Sequence, residues 1–507
     1  MPRSSGERTA VWASVPDRPG RGPLSDDVSV DVCVVGAGIA GLSVAYHLSA
    51  EGRTVIVLDR REIGSGETGR TTAHLVNVLD DRYTEIERLH GAEGARLAAA
   101  SHTAAVDSIE RISRTEGIAC DFERLDGYLF TPPGGNAGLL DDELAAARRA
   151  GVPDVMKVDR APLPSYDTGA CLKFARQAQF HPTKYLTGLA NAIEKRGGRI
   201  CLQAPAEDVA GGDRATVHTH GRTITAGAVV VATNTPFNDR VTMHTKQAAY
   251  RTYVIGVTVP RDSVPRALFW DTADPYHYVR LTGGASDDDV LIVGGEDHKT
   301  GQADDGADRF ARLESWTRER FAGAGAVRYA WSGQVLEPID AMAFIGRNPG
   351  DAPNVFIVTG DSGNGMTHGA LAGMLLCDLV QGRTNPWADL YDPARVTLQA
   401  AAEFAKENLN VAAQYVDLVS GGDIDDPRHL APGHGAVLRR GATKVAVYRD
   451  DTGRVHEFGA LCPHLGCVVQ WNAVEKSWDC PCHGSRFAAT GEVLNGPSPV
   501  GLRPASS

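Results

Sequence analysis

The sequence has no excess of basic residues. It contains 51 Lys and Arg residues against 63 Asp and Glu residues, which gives a formal net charge of -12. A chain of this charge has no general attraction for phosphate polymers or anionic lipid surfaces. We therefore expect no nucleic-acid partner and a small molecule as the substrate.

Long apolar runs are also missing. No stretch approaches the roughly 20 apolar residues that a membrane-spanning helix needs. Residues 1–28 are rich in Pro, Gly and Arg and contain no secretory core. These absences predict a cytoplasmic protein with no membrane span, beginning with a flexible tail over residues 1–28.

Cysteine is sparse over most of the chain. Five of the nine cysteines lie singly in the first 461 residues, mostly in apolar surroundings that are typical of buried, reduced thiols. The other four lie between residues 462 and 482, and histidines stand at positions 464 and 483. That density indicates a metal site or a disulfide framework.

A nucleotide-binding pattern opens the ordered chain. Residues 31–59, DVCVVGAGIAGLSVAYHLSAEGRTVIVLD, read as strand, tight turn, helix and second strand. Gly36 permits the turn, Gly38 lets the backbone approach a pyrophosphate, and Gly41 lets the helix pack closely on the strand. The helix amino terminus adds amides and a positive dipole end, and Asp59 is expected to bind ribose hydroxyls. The pattern predicts a dinucleotide site.

Later segments favour flavin as the dinucleotide. A polar, glycine-rich loop occupies residues 61–75, and residues 224–236 (ITAGAVVVATNTP) supply a late strand. These segments resemble the D-amino-acid oxidase and sarcosine oxidase superfamily, which binds FAD. In that family a carboxy-terminal glycine-rich loop covers the isoalloxazine, and residues 355–380, with the motif TGDSGNGMTHG, match it.

The resemblance also implies individual FAD-binding residues. They are Gly36, Gly38, Ile39, Ala40, Gly41, Asp59, Arg60, Thr71, Thr72, Ala73, His74, Thr233, Gly360, Ser362, Gly363, Asn364, Gly365, Met366 and Thr367.

The cysteine–histidine cluster has the Rieske spacing. Cys462-x-His464 is followed, after fifteen residues, by Cys480-x-x-His483. Each loop offers one thiolate and one imidazole, so one iron of a [2Fe-2S] cluster can have two sulfur ligands and the other two nitrogen ligands. Zinc and a pure disulfide framework are the alternatives. The cysteine spacings differ from the paired C-x-x-C of a zinc ribbon, and zinc would leave both histidines without a role.

The cluster segment resembles the Rieske version with two additional cysteines. That resemblance implies a disulfide between Cys467 and Cys482 that staples the loops, with cytosolic reduction as the objection. It also implies that Ser485 hydrogen-bonds a cluster sulfide. Phe487 stands where high-potential members have tyrosine, which predicts a modest potential and a domain that does not oxidise quinols.

We expect a Rossmann-type α/β FAD-binding domain of the glutathione-reductase-2 or D-amino-acid-oxidase type, an α+β substrate domain and a small all-β Rieske domain. The expected limits are 29–80, 170–240 and 345–385 for a discontinuous FAD domain, 81–169 and 241–344 for the substrate domain, 386–420 for a helical linker, and 421–507 for the Rieske domain.

From about residue 30 onward the chain resembles bacterial FAD-dependent oxidoreductases with a carboxy-terminal Rieske domain. This implies oxidation of a small amine or amino-acid-like substrate by hydride transfer to FAD. Electrons would then leave singly through the cluster to a protein, a quinone or oxygen. Candidate catalytic residues are His74, Lys246, Tyr278, His298 and Met366.

Two other functions stay open at this point. The first is a reductase driven by NAD(P)H that feeds a partner oxygenase, although no second dinucleotide motif occurs in mid-chain. The second is a non-catalytic sensor that uses the cluster.

Overall fold

The computed structural model describes residues 9–13, 19–238, 241–284 and 288–505. Part of the predicted tail, residues 1–8 and 14–18, lies outside the described residues. Trp12 is buried, and its indole Nε1 donates to the carbonyl oxygen of Thr71 at 2.6 Å. This described part of the expected flexible tail packs against the glycine-rich loop.

The strands, in chain order, are β1 (Val28–Val35), β2 (Val55–Leu58), β3 (His74–Leu75), β4 (Glu123–Phe130), β5 (Val155–Val158), β6 (Cys171–Gln179), β7 (Arg199–Cys201), β8 (Asp208–Ala210), β9 (Ala215–Thr219), β10 (Arg222–Val231), β11 (Gln247–Pro260), β12 (Leu268–Asp271), β13 (His277–Gly283), β14 (Asp288–Lys299), β15 (Val327–Pro338), β16 (Phe344–Arg347), β17 (Val355–Thr359), β18 (His434–Arg440), β19 (Thr443–Arg449), β20 (Val455–Gly459), β21 (Gln470–Asn472), β22 (Ser477–Asp479), β23 (Arg486–Ala488) and β24 (Val493–Asn495).

The helices are α1 (Ile39–Ala50), α2 (Arg82–Thr115), α3 (Ala137–Arg149), α4 (Pro182–Lys195), α5 (Gly306–Arg320), α6 (Gly365–Val380), α7 (Ala388–Tyr391) and α8 (Ala401–Gln414). Helix α2 is interrupted at Gly91, whose φ of 71° is not helical. No helix in the described part of the chain is long and apolar enough to cross a membrane.

The first sheet carries the nucleotide motif. Its order is β16-β17-β10-β1-β2-β7, and the hairpin of β8 and β9 joins it through β10. Strand β1 ends in four consecutive buried residues and pairs in parallel with both β2 and β10. Helix α1 packs so closely against this strand that a Cβ on Gly41 would lie only 1.9 Å from the carbonyl oxygen of Gly36. Only glycine therefore fits at position 41. The predicted Rossmann-type α/β fold is confirmed.

The second sheet is mainly antiparallel and has nine strands. Its order is β15-β11-β14-β13-β12-β4-β6-β3, and β5 pairs with β6. The long strands β11 and β14 bury mostly Val, Ile and Leu between the sheet and α5. Strand β6 pairs in this sheet, although the expected limits 170–240 assign its residues to the nucleotide domain.

The carboxy-terminal part is all-β, as the sequence predicts. It contains one three-stranded sheet, β18-β19-β20, and one four-stranded sheet, β21-β22-β23-β24. The expected helical linker over residues 386–420 consists of α7, α8 and single turns at Leu398–Ala400 and Tyr415–Leu418.

Candidate flavin cavity and metal centre

A cavity lies at the carboxyl ends of β1 and β10 and continues beneath the second sheet. Most of the predicted FAD-binding residues line it: Gly36, Gly38, Ile39, Ala40, Asp59, Arg60, Thr71, Thr72, His74, Thr233, Gly363, Asn364, Gly365 and Met366. Its described wall does not include Gly41, Ala73, Gly360, Ser362 or Thr367.

The nucleotide end of the cavity is shaped for a close backbone approach. Gly36 has a φ of 112°, and a Cβ there would lie 2.3 Å from the carbonyl oxygen of Ala232. The amino terminus of α1 points into this end. Asp59 accepts hydrogen bonds from the backbone N–H groups of Ala37 at 2.7 Å and Arg61 at 2.8 Å. A dinucleotide pyrophosphate fits here because amides and the helix dipole both face it.

At the opposite end, a carboxylate and aromatic rings face the cavity. Asp80 lines this end of the cavity, and desolvation by the surrounding protein raises its pKa to about 7. The hydroxyl of Tyr276 donates to Asp80 Oδ2 at 2.9 Å, and the rings of Tyr276 and Tyr278 lie 5.3 Å apart. Trp270 also lines this end. A negative group among aromatic faces suits a cationic ligand.

Further carboxyl groups lie nearby. Burial raises the pKa of Asp81 and Asp361 to about 6 and that of Asp297 to about 7. Burial also raises the pKa of Glu337, which accepts a hydrogen bond from Ser362 Oγ at 2.9 Å. Carboxyl groups therefore cluster around this end of the cavity.

Of the predicted catalytic residues, His74, Tyr278 and Met366 line the cavity. Burial, together with the nearby charge of Arg280, lowers the pKa of His74 to about 3, so its imidazole is neutral at physiological pH. Its Nδ1 lies 3.1 Å from Thr72 Oγ1, and the Tyr278 hydroxyl lies 2.7 Å from Thr252 Oγ1.

Lys246 and His298, the other two predicted catalytic residues, do not line the cavity. The Nζ of Lys246 donates to the carbonyl oxygens of Pro393 at 2.9 Å and Arg395 at 2.8 Å, which ties it to the linker. His298 lies within 2.9 Å of the Tyr253 hydroxyl, on the side of β14 that packs toward α5. Lys246 directly precedes β11 and His298 lies within β14, and both side chains contact other parts of the chain.

In the carboxy-terminal domain, two turns bring Cys462 and Cys480 together. The N–H of Cys462 donates to Cys467 O at 2.8 Å, and the N–H of Cys480 donates to Ser485 O at 2.8 Å. The Cys480 thiol hydrogen-bonds Cys462 and lowers the pKa of Cys462 to about 7. Two converging thiols, one of them readily ionised, fit the sulfur side of a [2Fe-2S] cluster.

The two histidines lie side by side next to the thiols. The ring centroids of His464 and His483 are 5.1 Å apart. Burial and nearby imidazoles lower the pKa of His483 to about 3. Its Nδ1 is buried without a hydrogen-bond partner among the described residues. A neutral imidazole with a free, buried nitrogen fits the nitrogen side of the cluster.

Cys467 and Cys482 form a disulfide with a Cα–Cα distance of 6.4 Å, so the predicted disulfide is present. The sulfurs of Cys467, Cys480 and Cys482 lie within 4.8 Å of one another. The disulfide removes two of the four thiols that a zinc ribbon would need.

Gln334 links the cluster loop to the flavin cavity. Gln334 on β15 lines the cavity, and its Nε2 donates to the carbonyl oxygen of Gly484 at 3.0 Å. Gly484 follows His483 directly, and a Cβ there would lie 2.3 Å from Ala249 Cβ. Glycine at 484 thus allows the loop to lie against β11 and β15.

His244, in the turn before β11, covers the histidine side of the cluster site. Its ring centroid lies 4.9 Å from that of His464 and 6.0 Å from that of His483. His244 is itself buried. The imidazoles of His464 and His483 therefore face the turn before β11.

A buried ionic network connects the second sheet with the carboxy-terminal domain. Arg251 on β11 and Arg486 on β23 both approach Glu475 Oε2 at 4.0 Å. Arg486 pairs with Asp479 at 2.9 Å, and Ser332 Oγ donates to Glu475 Oε1 at 2.6 Å. Removing one member would leave a buried charge without its partner, which would destabilise the contact between the second sheet and the carboxy-terminal domain.

Asp80, Gln334 and His244 were not among the site residues predicted from the sequence. Asp80 lies in VLDDRYTE and Gln334 in WSGQVLEP, where no motif assigns a role to either. Contacts between distant segments bring them to the site, and a single sequence carries no signal for such contacts.

The cavity and the paired Cys-His loops together define a flavin-dependent oxidoreductase that carries an iron–sulfur domain. The chain belongs to the FAD dependent oxidoreductase family, whose model matches residues 31–379, and the Rieske [2Fe-2S] domain model matches residues 423–505. The predictions of FAD, of the cluster and of an FAD-dependent enzyme are confirmed.

Proteins that are similar in sequence or in fold support this assignment. The chain is 31% identical to the putative Rieske 2Fe-2S iron-sulfur protein YhfW of Bacillus subtilis (strain 168), over 96% of this chain and 95% of that protein. It is 28% identical to gamma-glutamylputrescine oxidoreductase of Escherichia coli (strain K12), over 71% and 85%. The fold of glycine oxidase from Geobacillus kaustophilus covers 73% of this chain and 99% of that chain, with a TM-score of 0.60 and 17% identity.

Proposed function

We propose that this protein oxidises a small amine or amino-acid-like substrate at FAD and passes the electrons singly through its own Rieske cluster to an acceptor. Bound FAD supplies a two-electron acceptor, and a [2Fe-2S] cluster supplies a one-electron carrier. The observation that carries the proposal is the contact of Gln334 with both the flavin cavity and the cluster loop.

Asp80 is the proposed substrate-recognising group. Its carboxylate faces the cavity, and Tyr276 donates to one of its oxygens at 2.9 Å. As a carboxylate it would pair with a substrate ammonium, and with a pKa of about 7 it can take up a proton from that ammonium. Loss of the proton matters because a hydride leaves the carbon beside nitrogen only from the neutral amine. The E. coli relative is named as an oxidoreductase of an amine, gamma-glutamylputrescine, which supports this choice.

The aromatic residues have a separate proposed task. Tyr276, Tyr278 and Trp270 line the substrate end of the cavity and offer ring faces to a cation or its alkyl chain. Neutral His74 lies beside Tyr278, with a ring separation of 5.8 Å, and adds no positive charge that would repel an ammonium. These groups bind and orient the substrate, and they displace water from it.

For the metal centre we propose Cys462, His464, Cys480 and His483 as the ligands. The converging thiols and the buried, unpartnered Nδ1 of His483 support this set within the described residues. Ser485 supports it further, because its hydroxyl hydrogen-bonds Cys462.

An anaerobic screen tests the proposal. Amines, amino acids, N-methylated amines and NAD(P)H are added singly, and flavin bleaching is followed by the EPR signal of the reduced cluster. We expect an amine or amino acid to bleach the flavin and then to produce the EPR signal. Rapid bleaching by NAD(P)H, with none by amines, would establish the alternative of a reductase that feeds a partner oxygenase. Bleaching without cluster reduction would contradict the role of the cluster.

A further inference from the structure

The Rieske domain forms one wall of the cavity at its nucleotide end. Residues 493–499 include six that line the cavity: Val493, Leu494, Asn495, Gly496, Ser498 and Pro499. They face Asp59, Arg60 and Thr235 of the nucleotide domain, which line the same cavity. In the sequence this segment lies more than 400 residues from Asp59 and carries no nucleotide motif.

Polar contacts hold this segment against the nucleotide domain. Arg60 Nη2 donates to the carbonyl oxygen of Pro499 at 3.1 Å, and Arg61 Nη2 donates to that of Leu494 at 3.0 Å. Asn495 Nδ2 donates to Glu67 Oε1 at 2.8 Å. The two arginines directly follow Asp59, so the strand end expected to bind the ribose also holds the segment.

The same segment is fixed from the other side by the Rieske fold. Strand β24 pairs with β23, with Asn495 opposite Arg486. Just beyond the strand, the N–H of Ser498 donates to Ser485 Oγ at 3.1 Å. Arg486 is fully buried and paired with Asp479. The wall is therefore part of a rigid domain.

We propose that residues 493–499 are part of the FAD site and cover the adenosine end of the bound cofactor beside Asp59. The Rieske domain thus helps to retain FAD, in addition to carrying the cluster. This role depends on the presence of FAD and is independent of the substrate and of electron transfer.

The wall can be tested at Gly496, because the backbone there needs no glycine-specific φ. A Cβ at Gly496 would lie 3.5 Å from Thr235 Cβ, which is ordinary contact. Gly496→Ala should therefore keep FAD, whereas the longer side chain of Gly496→Leu has to enter the space beside Thr235. We expect Gly496→Leu, and Asn495→Ala through its lost hydrogen bond to Glu67, to weaken FAD binding by about fivefold or more. Glu492→Gln is the matched control, since Glu492 is exposed and does not line the cavity.

The readouts are the FAD content after desalting and the temperature at which flavin fluorescence rises on heating. Iron content and the cluster EPR signal report whether the Rieske domain of each full-length variant is folded. Unchanged FAD retention in Gly496→Leu and Asn495→Ala, with the cluster intact, would overturn the proposal.

Hydrogen exchange on the unmodified protein decides the question even if those variants fail to fold. Adding FAD to protein stripped of its flavin should slow amide exchange in residues 493–499 and leave β19 unchanged. Equal exchange in residues 493–499 with and without FAD would contradict a contact with the cofactor.

Discussion

Gln334 and Gly484 join the two redox sites of this protein. The side-chain Nε2 of Gln334 donates to the Gly484 carbonyl oxygen at 3.0 Å, while Gln334 itself lines the flavin cavity. The neighbour of Gly484 in the chain is His483, a proposed cluster ligand. The Gln334 side chain therefore links the cavity directly to the cluster loop.

Replacing Gln334 should slow transfer to the cluster. Gln334→Leu keeps most of the volume but loses the hydrogen bond, and we expect cluster reduction about tenfold slower, equivalent to ~1.4 kcal/mol in the barrier. Stopped-flow absorbance should show flavin reduction unchanged. Gln302→Leu is the matched control, because Gln302 Nε2 donates to Pro481 O in the same loop at 3.0 Å but does not line the cavity. If cluster reduction is slowed equally in both variants, the effect comes from a displaced cluster loop and not from the contact with the flavin cavity.

Asp80 should control the pH dependence of substrate oxidation. Its pKa is raised to about 7, so the carboxylate that pairs with an ammonium is present above pH 7 and is lost as the pH falls through that value. We expect kcat/KM to fall on the acid side with that pKa. Asp80→Asn should remove this limb and lower kcat/KM by about tenfold to a hundredfold, the equivalent of ~1.5–3 kcal/mol for a charged hydrogen bond. An unchanged acid limb in Asp80→Asn would exclude Asp80 as the titrating group.

Phe487 should set the potential of the cluster. Phe487 is fully buried in β23, in the same apolar cluster as Cys480, and carries no hydroxyl to donate to a ligand sulfur. Phe487→Tyr should raise the potential by about 40 mV, the equivalent of a hydrogen bond worth ~1 kcal/mol. An EPR-monitored redox titration measures the shift, and Phe458→Tyr on β20 provides the control. A potential that stays constant in Phe487→Tyr would reject this explanation of the sequence difference.

Removing one proposed cluster ligand should remove the cluster without removing FAD. His464→Ala should lose the iron and the cluster EPR signal but keep FAD, because the residues that line the flavin cavity do not include His464. His456→Ala, on β20 beside Asp450, should keep both cofactors. Full iron content in His464→Ala would show that the ligand set is wrong.

The local motifs were predictable from the sequence, and the contacts between distant segments were not. Gly36, Gly38 and the Cys462–His464 spacing carry their chemistry in adjacent residues, so a short stretch indicates the site. Lys246 begins a strand that the sequence predicts above the flavin, but its side chain turns toward Pro393 and Arg395. Asp80, Gln334 and residues 493–499 reach the cavity only through packing of separate segments, and no local pattern records that packing.

The central claim is that electrons from the substrate reach the cluster within a single chain. The direct measurement mixes the protein anaerobically with the amine or amino acid found by the screen and follows the reduced-cluster EPR signal by rapid freezing at several protein concentrations. The account predicts a first-order rate that does not change with protein concentration, and it predicts that Gln334→Leu lowers that rate. A rate that rises in proportion to protein concentration would show that electrons pass between molecules, and it would contradict the account.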